Sequence, residues 1–160
     1  MHGSRRIAVF ADVQNIYYTT RQAYGRLFDY RKLWQKIESQ GQIVTAYAYA
    51  IDRGDDKQRQ FQDALGHIGF TVKLKPYIQR SDGSAKGDWD VGIAIDVLDT
   101  AKDVDTVVLL SGDGDFDLLL QKIRKDYTTR TEVYGVPALT ANSLIEAASN
   151  YYPIEESLLL

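Results

Sequence analysis

Aspartates stand where the strand-like runs of this sequence end, and aspartate is well suited to holding a hard divalent cation. Arg6 to Ala11 (RIAVFA) is a short apolar run that stops at Asp12, and Thr106 to Leu110 (TVVLL) is another, followed by Ser111-Gly112-Asp113. In an open α/β sheet, ligands bind outside the carboxyl ends of strands, near the point where strand order reverses. In a sheet ordered 3-2-1-4-5 these two strands are neighbours, so Asp12 and Asp113 open onto one crevice. An aspartate in such a position can also simply cap the next helix. A third carboxylate argues for more than capping. Drawn at about 100° per residue, a helix from Asp88 to Ala101 carries Val91, Ile93, Ala94, Ile95, Val97 and Leu98 on a broad apolar arc, and Asp90 points into it. A lone core-facing carboxylate costs several kcal/mol unless it is paired or metal-bound, although the first turn of a helix tolerates an acid. Asp96 lies at the edge of the polar arc, as a ligand or a plain surface acid. Asp115 and Asp117 add acids at the helix start that follows Asp113.

Oxygen-only carboxylate clusters suit Mg2+ or Mn2+. With no cysteine and two histidines, zinc is a poor fit. The Asp-Gly alternation from Asp113 suggests a calcium loop, but Arg124 stands at the twelfth position, where such a loop needs a bidentate acid. Phosphodiester hydrolysis brings water to an anionic phosphate that bare carboxylates repel. Divalent ions invert the local charge and activate the water. Asn15, one helical turn beyond Asp12, could orient that water or the phosphate, or be an ordinary helix-start residue. Arg80 and Lys86 flank the flexible-looking stretch Ser81 to Gly87 (SDGSAKG), and either track a nucleic-acid backbone or remain solvated loop charges. Tyr17, Tyr18 and Tyr24 follow closely after Asp12. Exposed, they could stack on bases, yet in a chain with eleven tyrosines most should be packing residues.

The elements that must position these groups alternate along the chain. Helical spacing follows Asp29, a good N-cap, up to Gln40, with Gly41 as a stop. Ile43 to Ile51 reads as the second strand, and Phe61, Leu65 and Ile68 mark an amphipathic helix ending near Gly69. Phe70 to Ile78 reads as the third strand. Phe116, Leu119, Leu120 and Ile123 form the helical face after TVVLL, and Arg130 to Val136 reads as a final strand. Ser143-x-x-Glu146 has the form of a capping box opening a last short helix. Strands alternating with helices predict an α/β fold with a central, mainly parallel sheet. No repeat, low-complexity segment or domain boundary interrupts residues 1–160, so one domain is expected.

Three motifs carry a family resemblance. Val9-Phe10-Ala11-Asp12-Val13-Gln14-Asn15 resembles the first-strand D-x-x-N motif of NYN domains. Lys86-Gly87-Asp88-Trp89-Asp90-Val91, followed by Asp96, resembles the K-G-x-D-V…D helix of the LabA-like branch, with one extra residue between Gly87 and Asp90. Ser111-Gly112-Asp113-Gly114-Asp115-Phe116 resembles its S-G-D-x-D-F motif. Each alone is weak; in this order and spacing, over about Arg5 to Pro153, they are jointly specific. The resemblance implies a PIN-like, Rossmann-like three-layer α/β/α sandwich and a Mg2+-dependent nuclease, with RNA as the expected substrate. Carried over residue by residue, it implies Asp12, Asp90, Asp113 and Asp115 as the acidic core, with Asn15 and Asp96 in support. Two departures leave choices open: Asp88 competes with Asp90, and Asp117 with Asp115.

Other readings fit less well. A haloacid-dehalogenase-type phosphatase needs a second Asp two residues beyond the first, where Gln14 stands. A receiver domain needs an Asp after the third strand, and none follows before Asp82. Ser-His-Asp catalysis has only His67, mid-helix, to draw on besides His2. The serious rival is a non-catalytic RNA-binding or regulatory module that keeps the fold. A scaffold that forms a homodimer is the third, since Leu158-Leu159-Leu160 could bury itself in a partner or in its own surface. The net charge of −3, from 19 basic and 22 acidic residues, favours neither binding nor its absence. Nothing reads a 2′-hydroxyl, so DNA stays open as a substrate. The lack of cysteine, of a signal-like start and of any apolar run near the ~20 residues of a membrane span leads to the expectation of a cytoplasmic protein without membrane attachment.

Overall fold

The structure, a computed structural model, describes residues 5–76, 78–79, 85–86 and 88–160. In chain order its elements are β1 (Arg6–Asp12), α1 (Val13–Tyr24), α2 (Tyr30–Glu38), β2 (Gln42–Asp52), α3 (Asp56–Ile68), β3 (Thr71–Pro76), β4 (Ile78–Gln79), β5 (Ala85–Lys86), α4 (Asp90–Ala101), β6 (Thr106–Leu110), α5 (Asp117–Asp126), β7 (Arg130–Gly135), α6 (Asn142–Ala147) and β8 (Asn150–Pro153). Short 3₁₀ turns precede α5 and α6 and lie near the C-terminus. Six strands form one parallel sheet in the order β3-β2-β1-β6-β7-β8, while β4 and β5 make a separate antiparallel pair. The expected 3-2-1-4-5 order is therefore present, extended by a sixth strand at one edge.

Alternation along β1 builds the three layers. Ile7, Val9 and Ala11 point into one core with Val13 and Ile16 of α1, Leu33 and Ile37 of α2 and Leu65 of α3. Ala8 and Phe10 point into the other, with Ile93 and Val97 of α4, Leu119, Leu120 and Ile123 of α5 and Leu144 of α6. A central strand covered on both faces is apolar along nearly all its length, which is why RIAVFA and TVVLL lack the in-out alternation of half-exposed strands. Among the described residues, no helix is long and apolar enough to cross a membrane.

Three expectations need correction. β8 was not foreseen as a strand: only four residues long, its burial is partial, so it has no apolar run to betray it. Ser143 and Glu146 do not form a capping box; α6 starts at Asn142 from Ala141 and has no side-chain cap. On α4, Val91 and Ile95 are 70% and 53% exposed, so the buried face is the narrower Ile93, Val97, Ala101 stripe. Of the two fates expected for the C-terminal tail, the structure has burial in its own surface: Leu158 and Leu159 are buried against the α1–α3 face, while Leu160 is exposed.

Candidate metal centre

The order of the sheet reverses between β1 and β6, because β1 continues to β2 on one side and β6 to β7 on the other. Ala11 is in register with Leu110, so Asp12 and Ser111 leave the sheet side by side. There they are tied together: Ser111 Oγ donates to Asp12 Oδ2 at 3.2 Å and accepts from Asp113 N at 3.1 Å. Asp12 also caps α1, its Oδ1 accepting from Asn15 N at 3.4 Å. Asn15 returns across the crevice, its Oδ1 accepting from Gly112 N at 2.9 Å. Gly112 has to be glycine on steric grounds, since a Cβ there would lie 2.6 Å from the Leu139 carbonyl oxygen. The first and third motifs are thus one hydrogen-bonded unit.

The third wall comes from α4. Trp89, just before the helix, donates from Nε1 to the Ala50 carbonyl at 2.9 Å and packs on Tyr49 with ring centroids 5.3 Å apart. Lys75 Nζ lies 4.6 Å from the Trp89 ring centroid and donates to the Asp88 carbonyl at 3.1 Å. These contacts fix the start of α4 over the carboxyl end of β2, and Asp90 then faces the crevice at the head of the buried stripe. Asp88 Oδ1 accepts from Asp90 N at 3.2 Å.

Asp90, Asp113 and Asp115 each offer an oxygen, and those oxygens all lie within 4.8 Å of one another. Asp12, Asn15, Asp88, Asp90 and Asp113 line one pocket of about 370 Å³ with Gln14, Tyr18, Thr19, Ile51 and Arg53. Burial pushes the Asp12 carboxyl up to about 6, against the lowering effect of its bonds from Asn15 and Ser111, with the charges of Asp113 and Asp88 adding to the rise. Asp90 is pushed up to about 7, first by desolvation and then by a hydrogen bond and charge from Asp113, with smaller contributions from Asp12 and Asp88. Both shifts report carboxylates crowded together in a partly dry space, the state a bound cation relieves.

The expected residues therefore separate. Asp90, Asp113 and Asp115 cluster; Asp12 and Asn15 share their pocket; Asp88 lines it while holding the Asp90 amide. Asp117, half-buried in the first turn of α5, is outside the cluster. Asp96 is elsewhere altogether: its Oδ2 accepts from Tyr49 Oη at 2.8 Å and from Lys73 Nζ at 2.7 Å. It sits on the polar flank of α4, turned from Asp90 toward β2 and β3, so it braces the helix rather than joining the acids. Arg80 and the side chain of Lys86 lie outside the described residues. Sequence reasoning missed Ser111 as the link between Asp12 and Asp113, although it stands in the quoted motif, and missed Arg53, which gives no signal beyond following a strand.

An open parallel sheet flanked by helices on both faces, with carboxylates gathered where its strand order reverses, defines a doubly wound α/β protein with a strand-end site. The NYN domain family matches residues 6–155, and the chain belongs to that family. It is 32% identical to the low amplitude and bright protein LabA of Synechococcus elongatus, over 94% of this chain and 84% of that protein. Its structure is similar to the crystal structure of a protein of unknown function from Vibrio parahaemolyticus, with a TM-score of 0.95 and 51% identity over 100% of this chain and 99% of the other.

Proposed function

We propose that this protein is a divalent-metal-dependent nuclease that cuts RNA internally. The observation that carries the reading is the convergence of Asp90, Asp113 and Asp115, with oxygens within 4.8 Å, at the strand-end crevice shared with Asp12 and Asn15. Membership of the NYN family supports it. The donor set fits Mg2+ or Mn2+: the cluster offers carboxylate oxygens only. Asp90, Asp113 and Asp115 would hold the ion, with Asp12 and Asp88 as further acids of the crevice. A bound divalent ion supplies charge neutralisation at the phosphate and a lower pKa for the attacking water.

The remaining work falls to the chain's own groups. Asn15 has its oxygen committed to Gly112 N, which leaves its amide N–H groups to donate to a phosphate oxygen. Arg53 lines the same pocket and adds positive charge at its rim. The tie from Ser111 to both Asp12 and Asp113 fixes two acids in advance, so little rearrangement accompanies binding.

The test is cleavage of labelled linear and circular RNA, and of DNA of the same sequence, with Mg2+, Mn2+ or EDTA. Wild type and Asp113→Asn are run side by side. Metal-dependent opening of the circle, absent in the variant, is expected. Equal cutting by Asp113→Asn in a nuclease-free preparation refutes the site. Metal binding without cleavage of any substrate favours the rival reading of a binding module.

A further inference from the structure

Helix α1 leaves Asp12 with distinct faces. Val13, Ile16 and Thr20 are buried, while Gln14, Asn15, Tyr18 and Thr19 line the acidic pocket. Tyr17 and Arg21 stand on the solvent side, one turn apart. Arg21 Nη1 donates to Tyr17 Oη at 3.1 Å, and its guanidinium carbon lies 5.5 Å from the Tyr17 ring centroid. The Tyr18 ring meets that held ring edge-on, with centroids 5.4 Å apart. Tyr18 is nonetheless 51% exposed. Its hydroxyl makes no hydrogen bond among the described residues, whereas Tyr24, on the same helix, is tethered by donation to the Ile154 carbonyl at 2.7 Å. Tyr18 is thus a ring at the pocket lip, braced on one side and open on the other.

We infer that Tyr18 is a stacking platform for an unpaired nucleobase, so that the strand entering the pocket is single-stranded at that point. The inference rests on the nuclease reading and names the form of nucleic acid the site takes. A braced aromatic ring loses little freedom when a base stacks on it, and every base offers a π-face, so the contact tolerates sequence. In a duplex those faces are already covered, and exposing one requires unstacking. Charge fits the same occupant. Arg21 makes no ion pair with a carboxylate among the described residues, and Arg53 lines the pocket. Both can face phosphates adjoining the one held at the acids.

The test uses a short RNA carrying 2-aminopurine, whose fluorescence is quenched by stacking, bound in Mg2+ to Asp113→Asn protein so that the strand stays intact. Adding Tyr18→Ala should weaken binding about 5- to 100-fold and remove the protein-induced quenching. Tyr18→Phe should preserve both, and affinity for a blunt duplex should not respond to either change. Unchanged affinity and quenching in Tyr18→Ala, while wild type still cleaves RNA, overturns the platform and leaves the nuclease reading standing. A wild type that neither binds nor cleaves any nucleic acid overturns both.

Discussion

Asp12 offers the sharpest test of whether the acids are held together at a cost. It is 8% exposed and carries a carboxyl pushed from 3.8 to about 6, chiefly by burial. Because the folded state holds this proton more tightly than the unfolded chain, its contribution to stability is full below 3.8 and disappears as pH rises through about 6. At about 1.4 kcal/mol per unit, the whole effect is about 3 kcal/mol, of which roughly 1.4 kcal/mol is lost between about pH 5 and about pH 8. Asp90 shifts in the same direction and steepens the loss, but it is partly solvated and is left out of this figure. The perturbation is Asp12→Asn, which keeps an oxygen for the Asn15 amide and removes the charge. Urea unfolding in EDTA at the two pH values, for both proteins, isolates the Asp12 share as the difference between their pH slopes. Wild type should lose about 1.4 kcal/mol more than the variant on going to the higher pH. Saturating Mg2+ should then stabilise wild type at about pH 8, by about 2.7 kcal/mol at a hundred times the dissociation constant. Equal pH slopes in the two proteins would refute the reasoning that Asp12 is ionised against its environment.

Other outcomes follow from single contacts. Asp96→Ala should cost about 2 kcal/mol by stripping Tyr49 and Lys73 of their shared acceptor, while Mg2+ affinity by calorimetry stays within about twofold; a large loss of affinity would restore Asp96 to the metal site. Gly92→Ala should lower the melting temperature and shift tryptophan emission, since its Cβ would lie 2.6 Å from Trp89 Cε3. Overpacking of about 1–3 kcal/mol outweighs the helix propensity gained from alanine, about 1 kcal/mol, and an unchanged melt would show the indole free to move. Leu158→Ala should cost about 2–4 kcal/mol without changing the mass measured in solution; dissociation of a dimer by this change would mean the tail is an interface.

The site was legible where its chemistry coincides with a break in the hydrophobic pattern. RIAVFA and TVVLL end at Asp12 and before Asp113, and an apolar run followed by an acid survives any uncertainty in boundaries. Asp90 was legible for a reason only partly right. It does head the buried stripe of α4, but Val91 and Ile95, which made the apolar arc look broad, are exposed. Hydrophobicity assigns residues to a face only when a neighbour covers it, and α4 is fully covered along the Ile93, Val97 and Ala101 stripe. Asp96 has a setting that local spacing hides for a related reason. Its partner Lys73 is 23 positions away on β3, and long-range pairing leaves no mark in local spacing. β8 and the uncapped α6 belong to the same class: short elements held by their neighbours rather than by their own propensities.

The choice between Asp115 and Asp117 shows what backbone geometry adds to motif matching. Asp113 Oδ1 accepts from Asp115 N at 2.9 Å, which folds the chain into the 3₁₀ turn Gly114–Phe116 before α5 begins. Phe116 is thereby driven into the core, 2% exposed, and its two flanking aspartates diverge. Asp115 joins Asp90 and Asp113, while Asp117 becomes the first residue of α5. A plain α-helix beginning at Asp113 would instead bring Asp113 and Asp117 onto one face at i, i+4. The tight turn is what selects the nearer acid. Extending the helix through it would move Asp117 toward Asp113 in place of Asp115, so the hydrogen bond from Asp115 N decides which acid joins the cluster.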